Sequence, residues 1–450
     1  MPTALRIKPE EVDTPEKRVT LTVSVIGCGQ RGILFALAFA EAGFKVICAD
    51  ADQSVVKRLS RGTLQVFGRE AEAKLRALVR TGRLSATNDL KTAVSQSNVI
   101  VIATSARFDA KKKPDCSEIE NICKQTGSAL RPESLVVFGG LAAFGFTEGV
   151  VKETLENTSG LKMGNGFGLA YASTLQPLAV GLKPLDEHGL IVAAADNTSL
   201  NSASTFLATL AKERVKQTSN VKLAELGVLF AAAQRDASMA LSNELAVFCE
   251  NVGVDYADAL ALLNSDACGL GLPSIEEEAN GVEAYLLLES AENFEAKLRL
   301  LAKARQVNED MVKHAVSMTQ EALRGCGKPL RRARISLLGA FRSETAAAAL
   351  SEALEAKGAK VAVFDPDGSV HEVEEAGRSV RKTLNEAVEG TDCVVFLSYH
   401  DVFRRLSLNK MRALMRSPAA FVDLVGVLEP LAVVEEGFVY RGLGRGGWKK

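Results

Sequence analysis

Short apolar runs alternate with stretches of helical period through the first two hundred residues. VTLTVSVIG from Val19 reads as a strand, CGQRG as a tight turn, ILFALAFAEAG as a helix and FKVICAD as a second strand. A helix over SVVKRLSRG follows, then strands at SNVIVIAT, ESLVVFGG and GLIVAAAD, the last closing near Asp196. From about Asn197 to Gly325 the pattern becomes helical and alanine-rich. LAELGVLFAAAQRDASMALSNELAVFCENVG carries no proline and at ~1.5 Å per residue predicts a helix near ~45 Å long. Apolar on more than one face, such a helix packs against another subunit or bridges two domains. Alternation then returns in RRARISLLGAF, ETAAAALSEALEAKG, AKVAVFDPDG, TDCVVFLSYH and AAFVDLVG. The expected fold class is α/β: two Rossmann-like, doubly wound parallel-sheet domains joined by a long-helix dimerisation domain. Their expected extents are 1–196, 197–325 and 326–450.

Composition narrows the function classes. The chain is 47% apolar and 24% charged with a net charge of −1, which favours neither a nucleic acid nor an anionic membrane as partner. The charged, proline-bearing start MPTALRIKPEEVDTPEKR is unlike a signal peptide. No apolar run approaches the ~20 residues that span a bilayer. Eight cysteines without CxxC pairs read as reduced thiols of a cytoplasmic protein. The four histidines, His188, His314, His371 and His400, lie far apart, so no metal site is expected.

Chemistry enters at the first turn. Gly27, Gly29 and Gly32 form GxGxxG between a strand and a helix, with Gln30 and Arg31 inside the motif. The first glycine allows the turn, the second lets a pyrophosphate approach the backbone, and the third lets helix and strand pack closely. The helix N-terminus favours the phosphate charge. Asp50 ends the next strand 18 residues beyond Gly32, placed to accept from the adenosine ribose and to repel a 2′-phosphate, so NAD is the expected cofactor. Thr104, closing SNVIVIAT, joins the expected cofactor site. Arg31 stands where a small or apolar residue is usual and is a candidate phosphate contact.

The order of these parts resembles the UDP-glucose/GDP-mannose dehydrogenase family along nearly the whole chain. VIGCGQRG with FKVICADAD resembles the family's opening unit, and Thr87 to Leu90 and Lys113 to Asp115 its next landmarks. AEL at 224–226 and RDASMALSNELAVFCENVGVD at 235–255 resemble the central helix of the UDP-N-acetylmannosamine dehydrogenase branch. LLGAFRSET, AKVAVFDP and GFVYRGLGRG resemble its third domain. The resemblance implies NAD-dependent oxidation of a nucleotide sugar's C6 alcohol to a uronate, and a homodimer formed through the central helix. Its chemistry uses a thiolate that captures the aldehyde, a lysine and an asparagine that stabilise oxyanion charge, and a threonine and a glutamate that hold water.

Residue by residue, the resemblance puts other side chains at those places. The helix lysine and asparagine fall at Val228 and Ala232, the glutamate at Thr174, and the threonine at Leu141. The acidic helix start of the third domain becomes Thr345 followed by Ala346 to Ala349. Anchoring the glycine-rich loop on Leu272 and Pro273 puts Gly271 at the nucleophile, with Cys268 three residues upstream as a weak candidate. Ser274 and Ile275 stand where a lysine and an aspartate would follow. Arg342 and Arg445 are candidate contacts to a nucleotide sugar. Tyr171 is expected in the core, Lys222 in solvent, and Asn243 and Glu244 in helix packing or capping. Two readings follow: an impaired or redirected nucleotide-sugar dehydrogenase, or a non-catalytic NAD- and nucleotide-binding homologue acting as regulator or dimeric scaffold. A third, one simple hydride transfer on the same frame, is disfavoured by Val228.

Overall fold

A computed structural model describes residues 5–63, 68–109, 111–174, 189–211, 215–263, 269–275, 280–339, 346–366 and 379–446. Cys268, Arg342 and Thr345 lie outside the described residues. Two compact units are present, Met1–Ala233 with Val282–Lys297, and Gln234–Gly281 with Leu298–Lys450. The division falls inside one continuous helix, Val221–Val252, of 32 residues.

The first unit is built on an eight-stranded sheet. Its strands are β1 (Thr22–Ile26), β2 (Lys45–Ala49), β3 (Leu84–Thr87), β4 (Val99–Ile102), β7 (Ser134–Phe138), β8 (Phe167–Thr174), β9 (Leu190–Ala193) and β10 (Val215–Thr218). Between β4 and β7 lies a short antiparallel pair, β5 (Arg107–Phe108) and β6 (Pro114–Asp115). The order is β10-β9-β8-β7-β4-β1-β2-β3, parallel except between β8 and β9. Every residue of β4, β7 and β8 is buried, as expected of strands covered on both faces. The sheet continues past Asp196. Helix Asn197–Ala211 packs on it, and β10 pairs parallel with β9. Phe206 on that helix stacks 4.5 Å from Phe39 and meets Phe44 at 5.1 Å, so the segment belongs to the core beneath the glycine turn.

The second unit holds a wholly parallel six-stranded sheet in the order β13-β12-β11-β14-β15-β16. These are β11 (Arg334–Leu338), β12 (Lys360–Phe364), β13 (Ser379–Val380), β14 (Cys393–Phe396), β15 (Ala420–Asp423) and β16 (Val439–Gly442). Helix Arg299–Gly325 lays Met311, Ala315, Met318, Ala322 and Leu323 against it. Asp423 ends β15 with 1% of its surface exposed and accepts from the backbone N–H groups of Val425, Gly426, Val427 and Leu428 at 2.8–3.2 Å. Burial still pushes its carboxyl above the usual range, against those hydrogen bonds.

Because Phe206 is fully buried among aromatic rings, Phe206→Ala leaves a cavity that costs ~3–5 kcal/mol. Calorimetric melting should show it as a fall of several degrees, with Phe206→Leu intermediate.

Candidate functional site

The carboxyl edge of the first sheet is shaped by the glycine turn. Gly27 adopts φ +84°, and its N–H donates to the carbonyl oxygen of Ala49 at 2.9 Å. A Cβ there would collide with the Thr104 hydroxyl, and a Cβ on Gly32 with the carbonyl oxygen of Gly27. Over Gly29 the space is open, with nothing within 4 Å of where its Cβ would be. Helix Gln30–Ala42 begins there, so its first N–H groups and the positive end of its dipole meet that space.

Asp50 closes the other side. Its Oδ2 accepts from Cys28 N–H at 2.7 Å and its Oδ1 from Asp52 N–H at 2.9 Å. Both oxygens keep further lone pairs for ribose hydroxyls. The Thr104 hydroxyl is buried and has no hydrogen-bond partner among the described residues. An open floor over a helix N-terminus, a fixed carboxylate and an orphaned hydroxyl beneath fit an adenine dinucleotide.

Arg31 does not face that space. Its guanidinium donates to Ser173 Oγ at 3.2 Å and stands 3.7 Å from Glu283 Oε1, with only 13% of the side chain exposed. Burial lowers its pKa, opposed by the Glu283 carboxylate. The expected phosphate contact is thus replaced by a contact with β8 and helix Asn280–Asn293. Glu283 and Ser173 carry no local sequence signal for this role, since 252 residues separate Arg31 from Glu283.

Neighbouring positions are closed and largely apolar. Val228 and Ala232 are 2% and 0% exposed on the long helix, and Leu141 follows β7 at 5%. Thr174 is buried at the end of β8, its hydroxyl unpartnered among the described residues. Tyr171 is in the core, and burial raises its phenol pKa. Glu225, one turn before Val228, has a different task. Its carboxylate accepts from Gly145 N–H at 2.7 Å and Thr147 N–H at 3.0 Å, holding the loop after β7. Burial raises its pKa, offset by those bonds. Lys222 is exposed.

In the second unit the loop around Gly271 is tied to the long helix. Gly271 N–H donates to Ser242 Oγ at 3.3 Å, Ser274 N–H to Asn243 Oδ1 at 2.9 Å, and the Tyr256 hydroxyl to Gly271 O at 3.0 Å. Asn243 also donates to Asn308 Oδ1 at 3.0 Å, so it is a packing residue as expected. A Cβ at residue 271 would meet nothing within 4 Å. Arg445 pairs with Asp255 at 2.9 Å and borders a cavity of about 220 Å³ with Glu250, His314 and Arg441. Burial pushes the thiols of Cys116 and Cys123 up to about 11 and about 12, and that of Cys393 higher still. None of these three is a thiolate at neutral pH. Among the described residues no group of three or more His, Cys, Asp or Glu could hold a metal ion.

Residues 21–174 match the NAD-binding domain of the UDP-glucose/GDP-mannose dehydrogenase family, residues 222–310 its central domain, and residues 342–430 its UDP-binding domain. UDP-N-acetyl-D-mannosamine dehydrogenase of Pyrococcus horikoshii is 27% identical over 95% of this chain and 100% of its own length. UDP-glucose 6-dehydrogenase of Rhizobium meliloti is 24% identical over 94% and 100%. The solved structure of the Pyrococcus horikoshii UDP-D-ManNAc dehydrogenase superposes with a TM-score of 0.80 at 24% identity, covering 95% of this chain and 100% of that one. That of an NDP-N-acetyl-D-galactosaminuronic acid dehydrogenase from Methanosarcina mazei Go1 gives 0.73 at 26%, covering 96% and 98%. The dinucleotide site is therefore an NAD site, and the chain belongs to the UDP-glucose/GDP-mannose dehydrogenase family.

Proposed function

We propose that this chain is a dimeric, NAD- and nucleotide-sugar-binding member of its family that has lost the oxidation of the sugar alcohol to a uronate. The observation that carries this reading is the burial of Val228 and Ala232 at the helix positions where the family resemblance calls for lysine and asparagine. Neither side chain holds a proton or donates a hydrogen bond, and their register is fixed on both sides by AEL and RDASMALSNEL. Leu141 and Thr174 at two further catalytic places, and Gly271 in place of a thiol, point the same way. A retained glycine turn with Asp50 supports NAD binding without turnover. The match to a UDP-binding domain supports a nucleotide sugar as second ligand, with Arg342 and Arg445 as its candidate contacts.

Each lost preorganised donor costs ~10²–10³ in rate. With UDP-N-acetylmannosamine, UDP-glucose or GDP-mannose, NADH formation should be at least ~10³-fold slower than for an active relative assayed alongside. Turnover within ten-fold of that relative sinks the proposal. Thermal shift should still respond to NAD and to UDP. Gly271→Cys has room for its side chain and should melt with the unaltered protein, yet form no NADH.

Thiol reactivity tests the same reading from another side. Iodoacetamide at pH 7, followed by peptide mass spectrometry, should leave Cys123 and Cys393 unmodified because burial holds them protonated. Cys268, outside the described residues, is the nucleophile candidate that the sequence offers. If Cys268→Ala abolishes a measurable dehydrogenase activity, the chain is a working enzyme and the loss of chemistry is refuted.

The dimer rests on the long helix. Leu223, Phe230, Leu241, Leu245, Phe248 and Val252 recur at helical spacing and are 36–59% exposed. A stripe of large apolar side chains over that length favours a second copy of the helix as its cover. Sedimentation should give a dimer, and Phe230→Glu with Phe248→Glu should give a folded monomer.

A further inference from the structure

Helix Asn280–Asn293 and the segment that follows it are tied to three successive loops at the carboxyl edge of the first sheet. After β1, Glu283 faces the Arg31 guanidinium at 3.7 Å. At β5, beyond β4, Phe108 lies 5.9 Å from Tyr285, and the Lys112 ammonium stands 5.4 Å from the same ring. Beyond β7, Phe144 donates its N–H to Ser290 Oγ at 3.1 Å and packs edge-on against Phe294 at 5.6 Å.

The strand order reverses between β1 and β4, and a dinucleotide lies across the crevice at such a point, one mononucleotide half to each side. The β1–β2 side is the open one, with space over Gly29 and the carboxylate of Asp50. The β4–β7–β8 side is crossed by Arg31. Its helix starts beside Ala103 and Gly139, which follow β4 and β7, and its guanidinium ends on Ser173 of β8. A largely buried cation therefore stands on the side where the positively charged ring of NAD would lie, with a helix tied across the same edge.

The geometry points to a built-in latch: the Arg31–Glu283 pair occupies the nicotinamide side of the crevice, so the chain recognises the ADP half of its ligand and takes ADP-ribose as readily as NAD. This rests on the reading above, in which the chain binds the dinucleotide without oxidising a sugar. Releasing the latch should restore the contribution of the nicotinamide half and leave the ADP half untouched.

Titration calorimetry on the full chain with ADP, ADP-ribose and NAD tests it. In the unaltered protein the dissociation constants of ADP-ribose and NAD should agree within about five-fold. In Arg31→Met/Glu283→Gln, and more weakly in Glu283→Gln alone, NAD should become more than about five-fold tighter than ADP-ribose, with ADP unchanged as the control for folding. NAD already more than about five-fold tighter than ADP-ribose in the unaltered protein overturns the latch, and needs no variant to fold. A ratio that no variant changes overturns it equally. Binding of none of the three ligands removes the NAD-binding reading itself, an outcome distinct from failure of the latch.

Discussion

The structure of the first unit depends on one close approach, that of helix Gln30–Ala42 to the end of β1. No Cβ fits at residue 32, because it would collide with the carbonyl oxygen of Gly27, and none fits at Gly27, because Thr104 lies against it. This clamp sets the helix N-terminus at the crevice between β1 and β4. It also fixes the direction in which the first turn projects its side chains. Arg31 is held toward β8, and from there toward Glu283, by the same contact that makes room for a phosphate over Gly29.

Buried charge in this fold is held by backbone donors. Glu225 and Asp423 are almost wholly buried, yet each carboxylate receives backbone N–H groups that hold a loop. Such groups are tolerable because every donor they meet is fixed in place. Val228 and Ala232 sit on the same helix as Glu225 and need no compensation, because they carry no polar atom beyond the backbone. An apolar side chain at such a helix position carries no desolvation cost. A structural carboxylate therefore stands on the same helix as wholly apolar positions.

The sequence made the parallel sheets, the long helix and the dinucleotide turn legible because each rests on short-range patterning. GxGxxG, the acid at Asp50 and the apolar runs of β1, β4 and β7 need no distant partner to be recognised. Residues 197–218 read as the start of a helical segment, yet they supply a helix and β10 to the first sheet. Three of the four residues of strand Val215–Thr218 are polar, and its pairing with β9 is what makes it a strand. Arg31 was visible as an unusual residue in the motif, but its partners were not. Ser173 and Glu283 come from 142 and 252 residues away, and nothing in the local pattern of either announces an ion pair.

Binding and chemistry separate in this architecture for a physical reason. The ADP half of a dinucleotide is held by backbone N–H groups, a helix dipole and one carboxylate, all properties of the turn itself. Side chains on the long helix, in the loop after β7 and at the end of β8 are separate from that turn, and any of them is replaceable without disturbing the glycine clamp. Gly27, Gly29, Gly32 and Asp50 supply the first set in this chain, while Val228, Ala232 and Leu141 carry no polar side-chain atom. Arg31 lies on the boundary between them: its backbone belongs to the turn and its side chain to the far half of the crevice. Substitution at that one position is thus able to alter which part of a ligand is recognised while the fold stays as it is.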